Sequence, residues 1–546
     1  MLSLIKGIFT DAPASDGLPQ PGFCVPGSSR PTRGEWKLVG ILQAFFLVTA
    51  LHGLNAPFVS THFVRQNFTF DVAQHVFHEG WKAVITPRSS FSQLSDPGKL
   101  SSPLPVPTPR TTICHLEVPF YGVIGWPASN VFKHHERAVV RLVAVMFAFL
   151  SIRFLYLALR YWLDPNPALL GTALWTTAPL VLQFGQVPMP DIMATTGMAA
   201  AFFFALRGNL VASSGAFLFT VLAKMSILIY GLPILVALLV ARNCRSAGAC
   251  VKVSLLWGIT PLLGLLGWLS LSLHDPPGSW VVLGGYQPGS YGPVEMRDLT
   301  NPEFYITPLI FLFPFGCGLL GFLGLLFAAG SATARMNPWL KASILTSLAT
   351  NYVMERIVSW EPQYTLPVLF WVTIAASFGF PRLLEKLRGD NRWRMAAGGI
   401  LFVHVAVVIG AAWFLKASRV PNLQDMEAAM RLIPANARVV LYSAVASQPP
   451  PIWLNRNTLS FDPFEDPKPA DLAILEKQLR NFQKAGFDYL LLLDMQDHYK
   501  LKAMMNQGSR YKTDFTDHSS PVRHFFDQKF HKMFEGNHVV LYSLAN

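Results

Sequence analysis

Charged residues are scarce in this sequence. Asp, Glu, Lys and Arg make up 14% of its 546 residues, whereas 51% are hydrophobic. Soluble domains carry about 25% charged residues, so this deficit excludes an ordinary soluble protein and indicates a membrane protein. The formal charge of +12 does not require a nucleic-acid partner, because Lys and Arg gather in cytoplasmic loops and near anionic headgroups. We therefore expect membrane lipids, and no nucleic acid, among its partners.

Cysteine is also scarce, and no metal-type spacing links Cys24, Cys114, Cys244, Cys250 and Cys317. Cys244 and Cys250 flank a basic loop that we place in the cytoplasm, where a disulfide is not expected. No cleavable signal peptide is predicted, since residues 8–34 are rich in Pro, Gly and Ser and the first apolar run begins only near Trp36. We interpret residues 1–35 as a flexible cytoplasmic tail.

Long apolar runs fill the middle of the chain. A helix that crosses a bilayer needs about 20 apolar residues, and this criterion predicts about eleven spans. The runs are 37–56, 138–160, 167–185, 191–206, 210–224, 226–242, 252–273, 304–329, 339–358, 363–380 and 396–416. With a cytoplasmic N terminus, the short loops rich in Arg and Lys all fall on the cytoplasmic side, as the positive-inside rule requires. The loop 57–137 and residues 417–546 then lie outside the cytoplasm.

Residues 417–546 have a different pattern. Amphipathic stretches, Leu423–Leu432 and Asp471–Ala485, alternate with the β-type runs ARVVLYS, FDYLLLLD and HVVLYSL. This alternation predicts a small α/β domain with a partly parallel sheet. The chain is therefore predicted to consist of the tail 1–35, a transmembrane domain 36–416 that includes the loop 57–137, and an extracytoplasmic domain 417–546.

The loop 57–137 contains two of the three acidic residues that the sequence marks as candidates for chemistry. Asp71 lies in VRQNFTFDVAQHVFHEGW, whose apolar spacing predicts a helix along the membrane surface. Glu117 lies in HLEVPF, where Pro119 favours an extended local backbone. A polar loop of this size after the first span indicates chemistry at the membrane surface, and we interpret it as half of an active site.

Asp191 is the third acidic candidate. It follows two prolines in FGQVPMPDIMATTG and stands near the first turn of a predicted helix in an apolar segment. An ionisable residue at such depth is costly and is functional by default. A helix-capping carboxylate, favoured by the helix dipole, is the alternative, and the two roles are compatible.

Lys224 is the most informative cation, because it lies in an otherwise apolar run of about 25 residues and needs a partner there. A buried anion such as a phosphate is one interpretation, and a side chain that snorkels to the headgroups is the other. Arg65, Arg137 and Arg141 lie near extracytoplasmic helix ends, and guanidinium groups bind phosphate oxygens through forked hydrogen bonds. Arg137 and Arg141 share a helix face, although each could instead be an interfacial anchor.

Histidines crowd the first loop at positions 62, 75, 78, 115, 134 and 135. No HExxH-type spacing is present, so the sequence predicts no cofactor by motif. The question whether His115 and Glu117 bind a divalent metal stays open, because ligands that come from separate loops cannot be recognised by their spacing in the sequence.

Taken in order, these elements resemble the GT-C superfamily of membrane glycosyltransferases, and most closely the bacterial aminoarabinose transferase and protein O-mannosyltransferase family. The similar segments are RQNFTFDVAQHVFHEGW, LEVPFYGVIGWP, HHERAVVRLVAVMFAFLSI, VPMPDIMATTG, LAKMSILIYGLP and QYTLPVLFW, all within about residues 40–380. The sequence departs from the family at Phe68, where related sequences often have Asp or Gln. Asp71, close to one helical turn further on, is the nearest carboxylate.

The resemblance implies a polytopic α-helical protein in the bacterial cytoplasmic membrane. Such a protein transfers a hexose or pentose from a polyprenyl-phosphate donor to an envelope acceptor (a lipid, a glycan or a protein) on the extracytoplasmic side. Asp71 or Glu117 would then act as general base, with Asp191 positioning groups at the cleft. The implied phosphate-binding cations are Lys224, Arg65, Arg137 and Arg141, and the implied lipid groove contains Gln363 and Tyr364.

Two other classes of protein stay open. A secondary transporter or flippase of a lipid-linked or polar solute accounts equally well for the spans and the buried charges. It accounts less well for a long first loop with paired acidic motifs and for a soluble C-terminal domain. The other class is a catalytically inactive scaffold that binds a polyprenyl lipid.

Overall fold

A computed structural model of the chain describes most of its segments. They are residues 31–51, 63–89, 112–113, 117–273, 306, 309–330, 337–358, 362–389, 391–417, 423–434, 437–443, 457–461, 469–493, 518, 520–536 and 539–544. These segments belong to two compact units. The first unit draws on residues 1–54, 141–271 and 288–413, and the second on residues 55–140, 272–287 and 414–546.

Helices dominate the chain as far as residue 273. In order, they are α1 (Arg33–Leu51), α2 (Phe63–Glu79), α3 (Trp81–Ile85), α4 (Phe120–Val131), α5 (Glu136–Arg160), α6 (Pro165–Thr177), α7 (Pro179–Phe184), α8 (Pro190–Leu206), α9 (Leu210–Ala223), the 3-10 helix Met225–Tyr230, α10 (Gly231–Ala241) and α11 (Ala247–Leu273). Between α3 and α4, the short strands β1 (Arg88–Ser89) and β2 (Thr112–Ile113) pair antiparallel.

The helical pattern resumes after residue 308. Its elements are the π-helical turn Phe313–Cys317, α12 (Gly318–Ala329), α13 (Pro338–Val358), the 3-10 helix Pro362–Thr365, α14 (Leu366–Ser377), α15 (Phe380–Gly389) and α16 (Asn391–Ala417). The C-terminal part then alternates between helices and strands. It consists of α17 (Leu423–Arg431), β3 (Arg438–Ser443), β4 (Asn457–Phe461), α18 (Pro469–Lys484), β5 (Tyr489–Leu493), α19 (Pro521–Lys529), β6 (His531–Gly536) and β7 (Val539–Ser543).

Five helices of the described segments are long and apolar enough to cross a membrane, or up to six if the bent pair α14 and α15 forms one span. The five are Arg33–Leu51, Glu136–Arg160, Ala247–Leu271, Leu309–Ala329 and Asn391–Gly410. Shorter apolar helices at Pro190–Leu206, Leu210–Ala223 and Met225–Ala241 coincide with other predicted runs. The chain is thus a multi-pass membrane protein. The count of about eleven spans, the domain boundaries and the membrane orientation stay predictions.

A very close backbone approach in the first unit occurs at Gly379, between α14 and α15. A Cβ at this position would lie 1.9 Å from the carbonyl oxygen of Gly324 and 2.7 Å from the amide nitrogen of Ala328, both on α12. Small residues allow helix backbones to approach in this way inside a membrane. Because both neighbours are backbone atoms, no side-chain rotation can relieve the clash.

Gly379→Ala is therefore expected to lower the free energy of unfolding by about 1–3 kcal/mol through overpacking. Gly399→Ala is the matched control, because no atom lies within 4 Å of its added Cβ and Ala is the better residue inside a helix. Thermal unfolding in detergent measures both variants. Equal midpoints for the two would contradict the close contact.

The C-terminal part of the second unit is built on a mixed five-stranded sheet in the order β4-β3-β5-β7-β6. Strand β3 pairs parallel with β4 and β5, whereas β7 pairs antiparallel with β5 and β6. Apolar side chains are buried on both faces of the sheet, against α18 and α19 on one face and α17 on the other. Strands β3, β5 and β7 lie in the three runs with predicted β structure, whereas β4, β6 and α19 were not predicted.

A buried arginine holds the last two strands and α19 together. Arg523, which has no exposed surface, donates from Nε to Asp527 Oδ2 (2.9 Å) and from a terminal nitrogen to Glu535 Oε1 (2.8 Å). Burial opposes the charge of Asp527, but hydrogen bonds from Arg523 and Tyr542 hold the pKa of this carboxyl below its usual value. The hydrogen bond from Lys532 and the charge of Arg523 lower the pKa of Glu535.

Acid is therefore expected to loosen this part of the protein. A carboxyl whose pKa is lower in the folded state stabilises the fold above its unfolded pKa of about 4, and this contribution is lost as pH falls through the folded value. Hydrogen exchange of the full-length protein, corrected for intrinsic rates, should show protection of residues 521–536 and 539–543 falling below about pH 4. The Asp527→Asn variant should show a weaker dependence on pH. Protection that is unchanged from pH 7 to pH 3 would contradict this account.

Candidate functional site

A buried ion pair lies at the centre of the candidate site in the first unit. Lys224 Nζ donates a hydrogen bond to Asp191 Oδ1, across 33 residues of sequence. Asp191 is 1% exposed and Lys224 is 7% exposed. The partner that Lys224 requires in its apolar run is thus a protein carboxylate, and burial excludes the interpretation that this lysine snorkels to the headgroups.

The local sequence places Asp191 at the start of a helix. Helix α8 begins at Pro190, which is well suited to a first helical position because proline has no N–H to leave unpaired there. Asp191 stands in the first turn, as predicted, where the helix dipole favours a negative charge. The capping alternative is not the arrangement found. The N-cap residue is Met189, no side chain caps the helix, and the carboxylate instead binds Lys224.

Lys224 stands at an interruption between two helices. Helix α9 ends at Ala223, Lys224 has an extended backbone, and a 3-10 helix begins at Met225. Irregular backbone at membrane depth is tolerated only where it is buried in protein or lines a cavity. The interruption therefore marks an internal site and not a lipid-facing surface.

The aromatic ring of Tyr364 packs against the Lys224 end of the ion pair. Lys224 Nζ lies 3.7 Å from the centroid of the Tyr364 ring, within the range of a cation–π interaction. Tyr364 belongs to the 3-10 helix Pro362–Thr365, directly before α14. The structure thus brings together three residues that the sequence analysis singled out separately: Asp191, Lys224 and Tyr364.

Three buried oxygens, one on Asp191 and two on threonines close in sequence to Asp191 and Tyr364, have no hydrogen-bond partner among the described residues. In the described segments, Asp191 Oδ2, Thr195 Oγ1 and Thr365 Oγ1 have no partner, although Thr195 and Thr365 have no exposed surface. Thr195 lies one helical turn after Asp191, and Thr365 follows Tyr364. Buried polar groups are nearly always paired, and each exception calls for an explanation. Each of these oxygens can form a hydrogen bond with a polar ligand or a water molecule.

The two threonines are not recognisable as site residues in the sequence. A threonine in an apolar helix usually donates to the carbonyl four residues earlier, as Thr196 and Thr220 do here. Nothing in the sequence separates Thr195 and Thr365 from such ordinary threonines. The helical spacing from Asp191 is the one signal that could have selected Thr195.

Arg141 supports the backbone just before Asp191. Its terminal nitrogen donates to the carbonyl oxygen of Gln186 at 3.1 Å, and its side chain is buried. Arg137 lies one turn earlier on α5, is half-buried, and belongs to the second unit. The two arginines are thus on the same helix, as predicted, and their roles at a phosphate stay predictions.

The second unit holds the other two acidic candidates. Asp71 is 5% exposed on α2, and the helix predicted around it is confirmed at Phe63–Glu79. Glu117 is half-buried and precedes α4, which begins at Phe120 and packs against α2. One compact unit therefore carries both carboxylates that we consider as general bases.

Several candidates lie outside the described atoms. Arg65 and Phe68 belong to α2, and Gln363 belongs to the 3-10 helix before α14, but their side chains are not described. His115 lies outside the described residues. Where the structure describes side chains, no group of three or more His, Cys, Asp and Glu is placed to hold a metal ion.

Comparisons with known proteins show which solved structures have a similar fold. No family model matches the chain, and no curated protein matches it. ArnT from Cupriavidus metallidurans bound to undecaprenyl phosphate is similar in structure, with a TM-score of 0.57 and 15% identity over 94% of this chain and 99% of that one. The apo structure of the same protein gives a TM-score of 0.53 and 16% identity, covering 94% and 98% of the two chains.

A second protein of known structure extends the similarity to the archaea. The oligosaccharyltransferase AglB from Archaeoglobus fulgidus, in complex with an inhibitory peptide and a dolichol-phosphate, gives a TM-score of 0.54 and 12% identity over 94% of this chain and 74% of that one. At such identities the similarity establishes the fold. The resemblance predicted from the sequence is confirmed at that level, and this membrane protein has the GT-C fold.

Proposed function

We propose that this protein is an integral-membrane glycosyltransferase that moves a sugar from a polyprenyl-phosphate donor to an acceptor on the extracytoplasmic side. The observation that carries the proposal is the buried Asp191–Lys224 pair beside Tyr364. It occurs in a fold whose solved examples include a complex with undecaprenyl phosphate. The site offers an ammonium donor and an unpaired carboxylate oxygen. A sugar phosphate presents the complement, phosphate oxygens that accept hydrogen bonds and hydroxyl groups that donate them.

Lys224 would stabilise the leaving group. Transfer breaks the bond between the anomeric carbon and the phosphate oxygen, and that oxygen gains negative charge as the bond breaks. An ammonium group has three N–H donors. Asp191 binds one of them and the Tyr364 ring lies close to the nitrogen, so a further N–H can serve a phosphate oxygen. A cation fixed before the reaction in a poorly hydrated site is the arrangement that stabilises such charge most strongly. We assign Arg65, Arg137 and Arg141 as further phosphate ligands.

A carboxylate of the second unit would activate the acceptor. The hydroxyl or amine of the acceptor forms the new bond to the anomeric carbon, and its proton passes to Asp71 or Glu117 as general base. Asp191 would position groups at the cleft, since one of its carboxylate oxygens binds Lys224 and the other has no partner among the described residues. A single displacement inverts the anomeric centre. Retention of configuration in the product, measured by NMR, would exclude this scheme.

The lipid chain of the donor would lie next to the 3-10 helix Pro362–Thr365. This assignment is supported by Tyr364, which faces the ammonium group that we assign to the donor phosphate. Gln363 would line the same groove. We further propose that the acceptor is a lipid, glycan or protein of the bacterial envelope, and that the protein lies in the cytoplasmic membrane with a cytoplasmic N terminus and a periplasmic C terminus.

Release of polyprenyl phosphate tests the proposal. The purified full-length protein in nanodiscs would be incubated with a panel of polyprenyl-phosphate sugars and a crude envelope acceptor. A transferase releases polyprenyl phosphate from at least one donor. A transporter instead moves solute across sealed vesicles without release, and an inactive scaffold binds donor without either effect. No release from any donor by folded protein would overturn the proposal.

A further inference from the structure

Two side chains of α2 bind Glu136, the first residue of α5. Glu136 Oε2 accepts a hydrogen bond of 2.6 Å from Gln74 Nε2, across 62 residues of sequence, and Glu136 Oε1 lies 3.1 Å from His78 Nε2. An acid in the first turn of a helix needs no such partners, because the helix dipole already stabilises its charge. Here both oxygens of the carboxylate are engaged, and both partners come from another helix.

The opposite face of α2 packs closely against α4. A Cβ added at Gly122 of α4 would lie 2.6 Å from the Cβ atom of Val76 on α2. Residues two apart in an α-helix are separated by about 200° around its axis. Val76 stands between Gln74 and His78 in the sequence and therefore lies on the face opposite to theirs. Contacts on two opposite faces restrict the rotation of α2 about its own axis.

A short turn fixes the position of Glu136 relative to α4. Helix α4 ends at Val131 and α5 begins at Glu136, and within the turn the amide of His135 donates to the carbonyl oxygen of Phe132 at 3.0 Å. His134 has a φ of +73°, a conformation that is uncommon for residues other than glycine and that persists where the surrounding structure imposes it. Helix α2, helix α4 and the start of α5 therefore form one closed set of contacts.

Asp71 lies on the face of α2 that binds Glu136. It precedes Gln74 by three residues and His78 by seven, and these spacings place the three side chains on one side of a helix. A side-chain atom about 6 Å from a helix axis moves by about 1 Å when the helix rotates by about 10°. A displacement of about 1 Å at a reacting group can cost about 10²-fold in rate. The orientation of α2 is therefore critical for any reaction in which Asp71 takes part.

We propose that Gln74, His78 and Glu136 form a positioning clamp for the general base. In this clamp, Glu136 fixes the rotation of α2 and thereby the direction of the Asp71 carboxylate. Glu136 also adjoins Arg137, which we assign to the donor phosphate, so the clamp joins the helix of the base to the helix of a phosphate ligand. The inference rests on the proposed transferase activity and on Asp71 as its general base. The three clamp residues act through Asp71 and do not touch the substrate.

Reversal of the Gln74–Glu136 pair in the full-length protein tests the clamp. Gln74→Glu places two carboxylates face to face, so α2 should rotate and single-turnover transfer should fall by about 10- to 100-fold. Adding Glu136→Gln restores an amide opposite a carboxylate in the reverse order and should recover most of this loss. Donor binding should be normal in both variants. Gln528→Glu, which makes the same charge change on the exposed face of α19, is the matched control. A normal rate for Gln74→Glu would overturn the clamp.

The Asp71→Asn background separates positioning of the base from support of the fold. There, Gln74→Glu should change the residual rate by no more than about twofold, because the carboxylate that it misplaces is already gone. Gln74→Ala removes the hydrogen bond without adding charge, and it replaces Gln74→Glu if that variant does not fold. A full loss in the Asp71→Asn background would overturn the positioning role.

The same measurements distinguish failure of the clamp from failure of the proposed function. A normal rate for Asp71→Asn would overturn the clamp and leave the transferase standing. No release of polyprenyl phosphate by the folded, unmodified protein would overturn the proposed function and the clamp together.

Discussion

One of the two variants Asp71→Asn and Glu117→Gln is expected to transfer sugar about 10²- to 10⁴-fold more slowly, because a general base usually contributes a factor of this size. The two amides keep the shape of the side chain but cannot take the acceptor proton. Asp71 is almost fully buried, whereas Glu117 is half-buried. An acceptor that arrives from solvent therefore reaches Glu117 more easily than Asp71. The variant with the larger loss identifies the base.

Single-turnover rates at saturating donor measure this loss, and equilibrium binding of the donor is measured separately. The variant that lacks the base should bind donor normally and lose the rise of rate with pH. Glu385→Gln, which changes an exposed acid on α15, is the matched control and should transfer at the normal rate. If both Asp71→Asn and Glu117→Gln keep normal rates, neither carboxylate is the base and the mechanism is wrong.

The Lys224→Met variant is expected to lose about 10²- to 10³-fold in turnover, since it removes a fixed donor from the developing negative charge. It should also be less stable by about 3–5 kcal/mol, because the Asp191 carboxylate stays buried without its partner. The Asp191→Asn and Lys224→Met double variant removes both charges. It should recover much of the stability and none of the turnover.

This double variant separates a structural from a catalytic role. Thermal unfolding in detergent gives the stability of each variant, and release of polyprenyl phosphate gives the turnover. Lys341→Met removes an exposed lysine of α13 and should change neither quantity. Turnover that returns with stability in the double variant would mean that the pair only holds the fold together.

The sequence indicates the individual residues of the candidate site but does not indicate which of them contact one another. The two prolines before Asp191 predicted a helix start, and the apolar run around Lys224 predicted a buried partner. That the two residues are partners did not follow, because their contact depends on the interruption of the helix at Lys224. The apolar run continues through this position, so hydrophobicity alone predicts no interruption there.

The C-terminal sheet illustrates the same limit. Strands β3, β5 and β7 are continuous apolar runs buried on both faces, a pattern that is recognisable in sequence. Strands β4 and β6 have the sequences NTLSF and HKMFEG and form the two edges of the sheet. Edge strands are short and polar because unpaired apolar edges aggregate, and this composition resembles that of a loop.

A structure of the full-length protein with polyprenyl phosphate, determined by electron cryomicroscopy in nanodiscs, tests the central claim most directly. Our account predicts the phosphate group at hydrogen-bond distance, about 2.7–2.9 Å, from Lys224 Nζ, with the lipid chain leaving past Tyr364. A phosphate bound elsewhere, with Lys224 still paired only to Asp191, would contradict the assignment of this site to the donor.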